Sequence, residues 1–480
     1  MPRTKPGPPV GPTLAPPGGD VLNPVRAWFA ARQTRVIAAV LLAGLALREA
    51  FSFWTGHPYD LEVWVRTGYV VSHGSNPYLG EWPPVPGVSF GYTGEWLYGA
   101  AYLPFWPDIF GGTYVLWEHV GGGNRFALYF LLKQGPIAGD LLVAGLLYRY
   151  VLRETHDRRL AIAALSFWMF FPYDILISAI WGQLDSVTTA VVLAVLLASE
   201  AQAAERSILW GFGIFAKWVT VIFLPLEFFR NRGYRRLWPF VGLALVGVLT
   251  VVAFLAAGWG VDSISAGTAS STGGGSGGMN WVQLLNLPFL AAPLQSHPIY
   301  FEILTRLWIP ACILAGWYAA RWLRTPTAGA TLRALLFVTT VLLLSRGGVN
   351  EQYMLYPFAL LAADVYTLHP DRRRFFYVFV VVALGFLLTN DVLGVWFASP
   401  AFPQSYTFAQ NIDDSSFWGT LRYDLLYVWA VLVTVTLVQL LVVLIRDEPN
   451  PRPWLVLGGP WRKGEPAGAR PAGPGPAPGP

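Results

Sequence analysis

The feature that most constrains the fold of this 480-residue chain is a succession of long apolar stretches separated by short basic runs. A helix needs about 20 apolar residues to cross the hydrocarbon core of a bilayer, and most of the stretches are close to that length. We place them at 35–54, 126–150, 160–178, 184–203, 207–229, 237–257, 301–323, 331–345, 351–368, 375–396 and 423–445. Composition agrees, because 54% of the residues are hydrophobic, 13% are charged and the mean hydropathy is +0.45. The sequence therefore predicts an all-α, polytopic integral membrane protein of about 10–12 helices.

Arginines indicate the orientation of these stretches. They cluster in short connections such as 149–159, 230–236 and 372–374, and positively charged loops face the cytoplasm. Both termini are then expected to be cytoplasmic, whereas the three long connections at 55–125, 258–300 and 397–422 face outward. The net charge of +5 is divided among these runs and forms no stripe of the kind that binds nucleic acid.

The two ends and one loop differ from the apolar body. Residues 1–30 and 447–480 are rich in Pro and Gly and predict disordered cytoplasmic tails, which leaves 31–446 as the membrane-embedded domain. The Gly-Ser-rich run at 270–278 predicts a mobile outer loop that orders over bound substrate. The single cysteine, Cys312, excludes an internal disulfide and a metal site with several thiolate ligands.

One section does not fit a simple count of crossings. Residues 160–229 hold three apolar stretches between two cytoplasmic basic runs, and three full crossings cannot join two points on the same side. A broken or re-entrant segment is therefore expected there. The residues that could interrupt a helix in this section are Pro172, Gly182, Gly211, Gly213 and Lys217.

An acidic pair, Asp60 and Glu62, directly follows the first apolar stretch. A carboxylate at the membrane boundary is costly unless it faces water, protein or a ligand, so the pair is a candidate site. Either residue could act as a base on a hydroxyl, and the two could share a divalent cation such as Mg²⁺ or Mn²⁺ if other ligands completed its shell. The structural alternative is that Asp60 caps the helix after Pro58, with Glu62 in its first turn.

The first outer connection is rich in Trp and Tyr, including Trp64, Tyr78 and Tyr92. Such rings settle at the headgroup level of a membrane, and helices lying in the interface are expected at 59–74 and 95–106. The alternative interpretation is that these aromatic faces cover the apolar side of a sugar ring.

Ionisable residues recur within the apolar stretches, where they indicate function by default. Lys133 and Asp140 lie two helical turns apart on one face, and a buried ion pair is the simplest explanation. Arg346, beside Gly347-Gly348, falls on the outer side, where its planar fork of donors and the adjacent backbone amides suit a phosphate. The other members of this group are Asp174, Asp185, Lys217 and Glu351.

Taken in order, these motifs resemble the membrane glycosyltransferases of the GT-C fold that use a polyprenyl-phosphate sugar as donor. The sequence is similar to the first mannosyltransferase of glycosylphosphatidylinositol anchor assembly and its archaeal and bacterial relatives. The matching positions are the acidic pair, Gly74-Ser75-Asn76-Pro77-Tyr78, Gly91-Tyr92-Thr93, Lys133 with Asp140, the Gly-rich stretch from Gly211 to Lys217, and Gln352-Tyr353. The sequence departs from the family's motifs in two places. The family's Asp-x-Asp is Asp60-Leu61-Glu62 here. The second departure is Trp181-Gly182-Gln183-Leu184-Asp185, which is closer to an element of the glucosyltransferases that build lipid-linked oligosaccharides.

The resemblance implies a hexosyltransferase that moves mannose, or alternatively glucose, from the lipid donor to a lipid-linked or other outer-face acceptor with inversion. It implies that Asp60 is the base and that Glu62 orients the acceptor or a divalent cation. The donor phosphate would be held by Arg346, Lys133 and Lys217. Substrate contacts are implied for Tyr78, Tyr92, Gln183, Asp185, Glu351, Gln352 and Tyr353.

Two other functions remain open from the sequence. A transporter or lipid flippase also has broken helices and intramembrane charges, but it is expected to show two matching halves and acids near the midplane. A non-catalytic subunit of a glycosylation complex would share the fold without the chemistry.

Overall fold

The computed structural model describes residues 32–82, 84–89, 97–98, 102–198, 202–260, 262–263, 278–296, 298–324 and 327–446. The predictions for the two tails, for Tyr92 and for the Gly-Ser-rich run as far as 277 fall outside these residues. Over the described ranges the chain is almost entirely helical. The exception is a pair of two-residue antiparallel strands, β1 (Glu81–Trp82) and β2 (Leu97–Tyr98).

Most helices follow one another along the chain with short connections, whereas long connections separate Ser72 from Phe105 and Ala256 from Pro288. The helices are α1 Arg32–Ser52, α2 Pro58–Ser72, α3 Phe105–Val120, α4 Arg125–Thr155, α5 Arg158–Met169, α6 Pro172–Ile175, α7 Asp185–Leu197, α8 Ala203–Ala216, α9 Leu224–Arg230, α10 Trp238–Ala256, α11 Pro288–Ser296, α12 Pro298–Arg306, α13 Trp308–Ala319, α14 Ala328–Ser345, α15 Leu355–Thr367, α16 Arg373–Asn390, α17 Pro403–Asp413 and α18 Trp418–Arg446. A π-helical segment, Leu176–Trp181, continues α6, and 3-10 segments lie at Trp218–Phe223, Gly233–Leu237, Trp281–Asn286, Trp322–Arg324, Glu351–Met354, Pro370–Arg372 and Val392–Ala398.

Six helical segments in the described part of the chain are long and apolar enough to cross a membrane. They are Arg125–Thr155, Arg158–Trp181, Gly233–Ala256, Ala328–Ser345, Pro370–Asn390 and Trp418–Arg446. The buried share of the apolar window is 61% for α14 but 28% for the segment that contains α10, so α14 lies inside the bundle and α10 at its periphery. The prediction of a helical, membrane-embedded protein is confirmed at this level.

Residues 160–229 were predicted to hold three apolar stretches, an odd number of crossings. The structure explains this number, because the stretch predicted at 207–229 is a hairpin that turns at Lys217. α8 ends one residue earlier, Lys217 itself is extended (φ −156°, ψ 112°), and the chain returns through Trp218–Phe223 and α9. The two arms are antiparallel, since Arg206 Nε on α8 lies 3.3 Å from Glu227 Oε2 on α9. The prediction of a broken segment is confirmed, and Lys217 forms its tip.

Contacts at the helix ends give the direction of each pass. Arg153 Nη1, near the end of α4, donates to the carbonyl oxygen of Leu197 at the end of α7 (2.8 Å). Lys217 lies beside Asp185 at the beginning of α7. The chain therefore passes four times through the bundle between α5 and the end of α9, which is the even number that the basic runs require.

Of the other four predicted interruptions, two are confirmed and two are wrong. α5 ends before Pro172, and Gly182 (φ +99°) ends the π-helical segment. Gly211 and Gly213 instead lie within α8. A Cβ atom on Gly211 would be 2.8 Å from the carbonyl oxygen of Gly242 on α10, so this glycine allows two helices to approach closely.

Three other boundaries differ from the prediction. The stretch at 301–323 is divided between α12 and α13, and the stretch at 375–396 is interrupted after Asn390, where α16 ends. The helix expected at 59–74 is present as α2. The one expected at 95–106 is wrong, because β2 occupies part of that range and α3 begins only at Phe105.

A buried charge cluster attaches α1 to α4 and to α6. Arg48 Nε and Nη2 lie 2.6 Å from carboxylate oxygens of Asp140 and Asp174, respectively. The predicted ion pair between Lys133 and Asp140 is therefore wrong, since Arg48 is the partner of Asp140. Lys133 Nζ donates instead to backbone carbonyl oxygens after α1 and within the π-helical segment, at 2.6, 2.9 and 3.1 Å.

Candidate active site

Asp60 lies in the first turn of α2, where several polar side chains converge on it. The Nδ1 atom of His57 accepts from the backbone N–H of Asp60 at 3.4 Å and caps the helix. The Oδ2 atom of Asp60 accepts from Trp181 Nε1 (2.6 Å) and from Gln183 Nε2 (2.7 Å). These two donors flank Gly182, whose positive φ turns the chain so that both side chains reach one oxygen.

A second acid, Asp391, lies beside His57 at the end of α16. Its Oδ1 atom is 3.9 Å from His57 Nε2, and its buried Oδ2 atom has no hydrogen-bond partner among the described residues. Burial, reinforced by the nearby Glu351, raises the pKa of the Asp391 carboxyl well above its ordinary value. Burial also lowers the pKa of His57, which stacks on Trp181 with ring centroids 4.9 Å apart. A neutral imidazole fits its role as a hydrogen-bond acceptor.

Glu351 is the third acid of this cluster. It is buried in the 3-10 segment before α15, and its Oε1 atom accepts from Asn390 Nδ2 at 2.8 Å. Burial raises its pKa to about 7, to which the charge of Asp60 also contributes. A carboxyl group with this pKa can hold or release a proton near neutral pH.

Two cations contact the ring of Tyr353. The first is Lys217, whose Nζ atom is 4.8 Å from the ring centre and donates to Asp185 Oδ2 at 2.7 Å. Asp185 is fully buried and its other oxygen accepts from the hydroxyl of Tyr356 at 3.3 Å. Lys217 and Asp185 therefore neutralise each other.

Arg346 is the second cation, and it directly follows the last residue of α14. Its guanidinium carbon lies 4.8 Å from the ring centre of Tyr353, 5.3 Å from that of Trp218 and 5.9 Å from that of Trp308. Only 7% of the residue is exposed, and its buried Nη1 atom has no hydrogen-bond partner in the described structure. The aromatic faces stabilise the charge but do not neutralise it.

The other buried arginines of the described chain all have a carboxylate partner. The shortest distances between guanidinium nitrogen and carboxylate oxygen are 2.6 Å for Arg48, 2.8 Å for Arg66, 3.3 Å for Arg206 and 2.9 Å for Arg372. Among these described side chains, Arg346 alone has none. Because an uncompensated buried charge costs several kcal/mol, such a residue is suited to an anion that enters from outside the chain.

Tyr102 links the acids to the cations. Its pKa is raised well above the ordinary value, mainly by burial, and also by the charges of Asp60 and Asp185 and by Tyr353. The chain also joins the two groups, because Gln183, which donates to Asp60, lies two residues from Asp185, and Glu351 lies two residues from Tyr353. The acid cluster and the pair of cations therefore lie in one region.

Glu62 has partners different from those of Asp60. It is fully buried, and its Oε1 atom accepts from Arg66 Nε, one turn further along α2, at 2.8 Å. Arg66 also donates to the carbonyl oxygen of Trp82, which attaches α2 to β1. In the described ranges no group of three or more His, Cys, Asp or Glu side chains is arranged to hold a metal ion.

The remaining predicted residues divide between the site and its surroundings. Gln352 is buried beside Glu351, and its Oε1 atom has no hydrogen-bond partner among the residues described. Tyr78 packs on Phe254 near the end of α10 and on Trp259 just after it, with ring centroids 4.9 and 5.7 Å from that of Tyr78. The structure thus brings together Asp60, Gln183, Asp185, Lys217, Arg346, Glu351 and Tyr353, whereas Glu62, Lys133 and Tyr78 have other partners.

Sequence reasoning did not select His57, Tyr102 or Asp391 for the site. Asp391 carried a usable signal, since an acid inside a predicted apolar stretch indicates function by default. Trp218 and Trp308, which surround Arg346, could not be selected from the sequence. The chain contains 22 Trp, and any of them fits a membrane belt.

A scan of the sequence against protein-family models found no match, and a search among curated proteins found none either. The geometry of the site is therefore the basis for assigning a function.

Proposed function

We propose that this protein is a membrane glycosyltransferase of the GT-C type, which transfers a hexose from a polyprenyl-phosphate donor to an acceptor at the outer face. Arg346 carries the proposal, because it is buried, surrounded by three aromatic rings and without a carboxylate in the described structure. The motif resemblance favours mannose as the sugar, with glucose as the alternative.

The phosphate of such a donor is the kind of anion that Arg346 suits. A guanidinium group presents a planar fork of N–H donors, and Nη1 is available to donate. Binding neutralises the buried cation, and the same contact stabilises the phosphate as it leaves. Lys217 lies on the same Tyr353 ring but is already paired with Asp185, so we assign it a supporting role.

The surroundings of Arg346 favour a lipid-linked phosphate over a soluble one. Trp308 begins α13, and the same helix presents Ile309, Ile313 and Leu314 with 43%, 45% and 63% of their surfaces exposed. An apolar helix face of this kind lies against lipid in a membrane protein. A polyprenyl chain can therefore lie along α13 while its phosphate reaches Arg346.

Asp60 is the base in this proposal. Its Oδ2 atom is held by Trp181 and Gln183, which leaves Oδ1 to accept the proton of an acceptor hydroxyl. The hydroxyl oxygen attacks the anomeric carbon, the bond from that carbon to the phosphate oxygen breaks, and its electron pair leaves with the phosphate toward Arg346. One displacement of this kind inverts the anomeric configuration.

Glu351 and Asp391 support Asp60 as hydrogen-bond donors. Their raised pKa values increase the protonated fraction of both groups, and a protonated carboxyl group can donate to a sugar hydroxyl without adding negative charge beside the base. Glu62 is paired with Arg66, so its role in this assignment is to hold α2 in place. Lys133 likewise holds the π-helical segment and the residues after α1 in place, because it donates to their backbone carbonyl oxygens.

The test is a direct assay of transfer. Purified protein is incubated with polyprenyl-phosphate mannose, or in parallel with polyprenyl-phosphate glucose, and with a lipid extract. Mass spectrometry then follows the lipid that gains a hexose and the polyprenyl phosphate that is released. A flippase would leave the donor intact, so release of polyprenyl phosphate distinguishes the two functions.

The catalytic assignment is tested with Asp60→Asn and a matched control, Asp108→Asn, which removes an exposed acid from α3. We expect Asp60→Asn to lower turnover by roughly 10²-fold with little change in donor affinity, because the amide keeps the hydrogen bonds but cannot accept a proton. The control should keep its turnover. Full activity in Asp60→Asn would refute the assignment of the base.

A further inference from the structure

A second group of arginines lies at the opposite end of α13 from Arg346. A cavity of about 610 Å³ opens there, and it is lined by Arg230, Arg232, Arg236, Arg321 and Arg324. The 12 residues of α13 span about 18 Å. The cavity is therefore separate from the site that contains Arg346 and Asp60.

The charge of this cavity is not neutralised by the described protein. Its lining residues include no Asp or Glu, and only Arg230 has a nearby carboxylate, Glu227, at 3.6 Å. Arg321 lies over the ring of Trp317, with its guanidinium carbon 4.0 Å from the ring centre. Like charges that share a small cavity repel one another, and a bound anion removes this repulsion.

The rim of the cavity is apolar and exposed. Trp317 and Phe229 line it with 47% and 36% of their surfaces exposed. Leu237, directly before the adjacent helix α10, is 62% exposed, and Phe240 and Val241 in the first turn of that peripheral helix are 46% and 50% exposed. A soluble anion would gain nothing from these surfaces, whereas a lipid would cover them.

We propose that this cavity binds the phosphate headgroup of an anionic phospholipid, with the acyl chains along the exposed faces of α10 and α13. Basic pockets between helices bind such headgroups when they lie at the level of the membrane surface. The arginine distribution of the sequence predicts that this end of the bundle faces the cytoplasm, where anionic lipids attract basic residues. Arg232, Arg321 and Arg324 carry the recognition.

The test measures lipid binding to the full-length protein in a neutral detergent. Phosphatidylglycerol and phosphatidylcholine with the same acyl chains are titrated, and the bound lipid is counted by native mass spectrometry. We expect phosphatidylglycerol to bind preferentially, and Arg232→Gln, Arg321→Gln and Arg324→Gln together to weaken it on the order of 10²-fold, from about fivefold for each arginine. If the triple variant unfolds, Arg232→Gln alone still tests the proposal, because Arg232 is at an exposed loop position. This variant should bind phosphatidylglycerol about fivefold more weakly.

The matched control replaces Arg158, Arg159 and Arg374, three exposed arginines outside the cavity at the same predicted membrane face, with Gln. It removes the same charge and should leave phosphatidylglycerol binding unchanged. Equal losses in both triple variants, or no loss in the cavity variant, would overturn the proposal. Complete competition by millimolar inorganic phosphate would also overturn it, in favour of a soluble anion.

Discussion

Replacing Arg346 by Met should make the ligand-free protein more stable and abolish donor binding. A buried ion carries a desolvation cost of several kcal/mol, and the unpartnered Nη1 donor adds about 1–3 kcal/mol. The three aromatic rings return about 1 kcal/mol each. With roughly 3 kcal/mol for desolvation, about 2 kcal/mol for the unpartnered donor and about 3 kcal/mol returned by the rings, an unrecovered cost of about 2 kcal/mol remains. Met removes this cost while it keeps much of the volume. The free energy of unfolding should rise by that amount, with the unfolding midpoint higher by roughly 2–4 °C.

The assay is thermal unfolding in detergent, at matched scan rates, with and without polyprenyl-phosphate mannose. A donor at 100 times its Kd stabilises a protein by about 2.7 kcal/mol, so the wild-type midpoint should shift on addition of the donor. The Arg346→Met midpoint should not shift, since the cation that binds the phosphate is gone. Arg346→Lys should recover part of the shift, because lysine keeps the charge but lacks the fork of donors.

Arg372→Met is the matched control for this experiment. Arg372 is also buried, but it lies 2.9 Å from Asp364, so its removal leaves this buried carboxylate with His369 in place of a permanent cation. We expect a loss of about 3–5 kcal/mol and an unchanged donor-induced shift, corrected for the lower midpoint. If Arg346→Met lost stability as Arg372→Met does, or kept the donor-induced shift, the view of Arg346 as an open anion site would be wrong.

Three further predictions concern the bundle, the acids and the orientation. Arg48→Gln should lower the free energy of unfolding by about 3–5 kcal/mol, since two buried carboxylates lose their cation. The control Arg35→Gln, at an exposed position of α1, should change this free energy little, and chemical or thermal unfolding measures both variants. Glu351, with its folded pKa raised from 4.5 to about 7, stabilises the protein fully below pH 4.5 and progressively less up to about pH 7, so thermal stability should fall over that window and Glu351→Gln should flatten the profile. A cysteine at exposed Ser75 should react with an impermeant thiol reagent on intact cells and one at Arg232 only after lysis; the reverse pattern would invert the predicted topology.

The helices could be predicted from sequence where one apolar stretch forms one helix. α4 and α18 contain the stretches predicted at 126–150 and 423–445, because a long apolar run without interruption has few other folds. The hairpin at 207–229 has the same composition as a straight crossing, and only Lys217 indicated the turn. The prediction of a helix at 95–106 was wrong because Trp and Tyr, which suit the membrane interface, are also common in strands.

Side-chain partners were harder to predict than helices, because the partners come from distant parts of the chain. Lys133 lies seven residues from Asp140 on the same helix face, which made the pair plausible, yet Asp140 binds Arg48, 92 residues away. For Asp60 the sequence identified the acid and Gln183, but not the Asp391 and His57 beside it. Spacing along one helix predicts a shared face, whereas tertiary packing decides which charge is nearest.

The residues of the candidate site share one structural property, which is that each lies at the end of a helix or at a break within one. Asp60 is in the first turn of α2, Gln183 follows the π-helical segment, Lys217 is the tip of a hairpin, Arg346 follows α14 and Asp391 follows α16. Helix ends free backbone N–H and C=O groups, which hydrocarbon cannot satisfy. Ends that converge at one place within an apolar bundle therefore need a polar space there. In the function proposed above, a sugar phosphate would occupy this space, and the free backbone groups and side chains would bind the hydroxyls of the sugar.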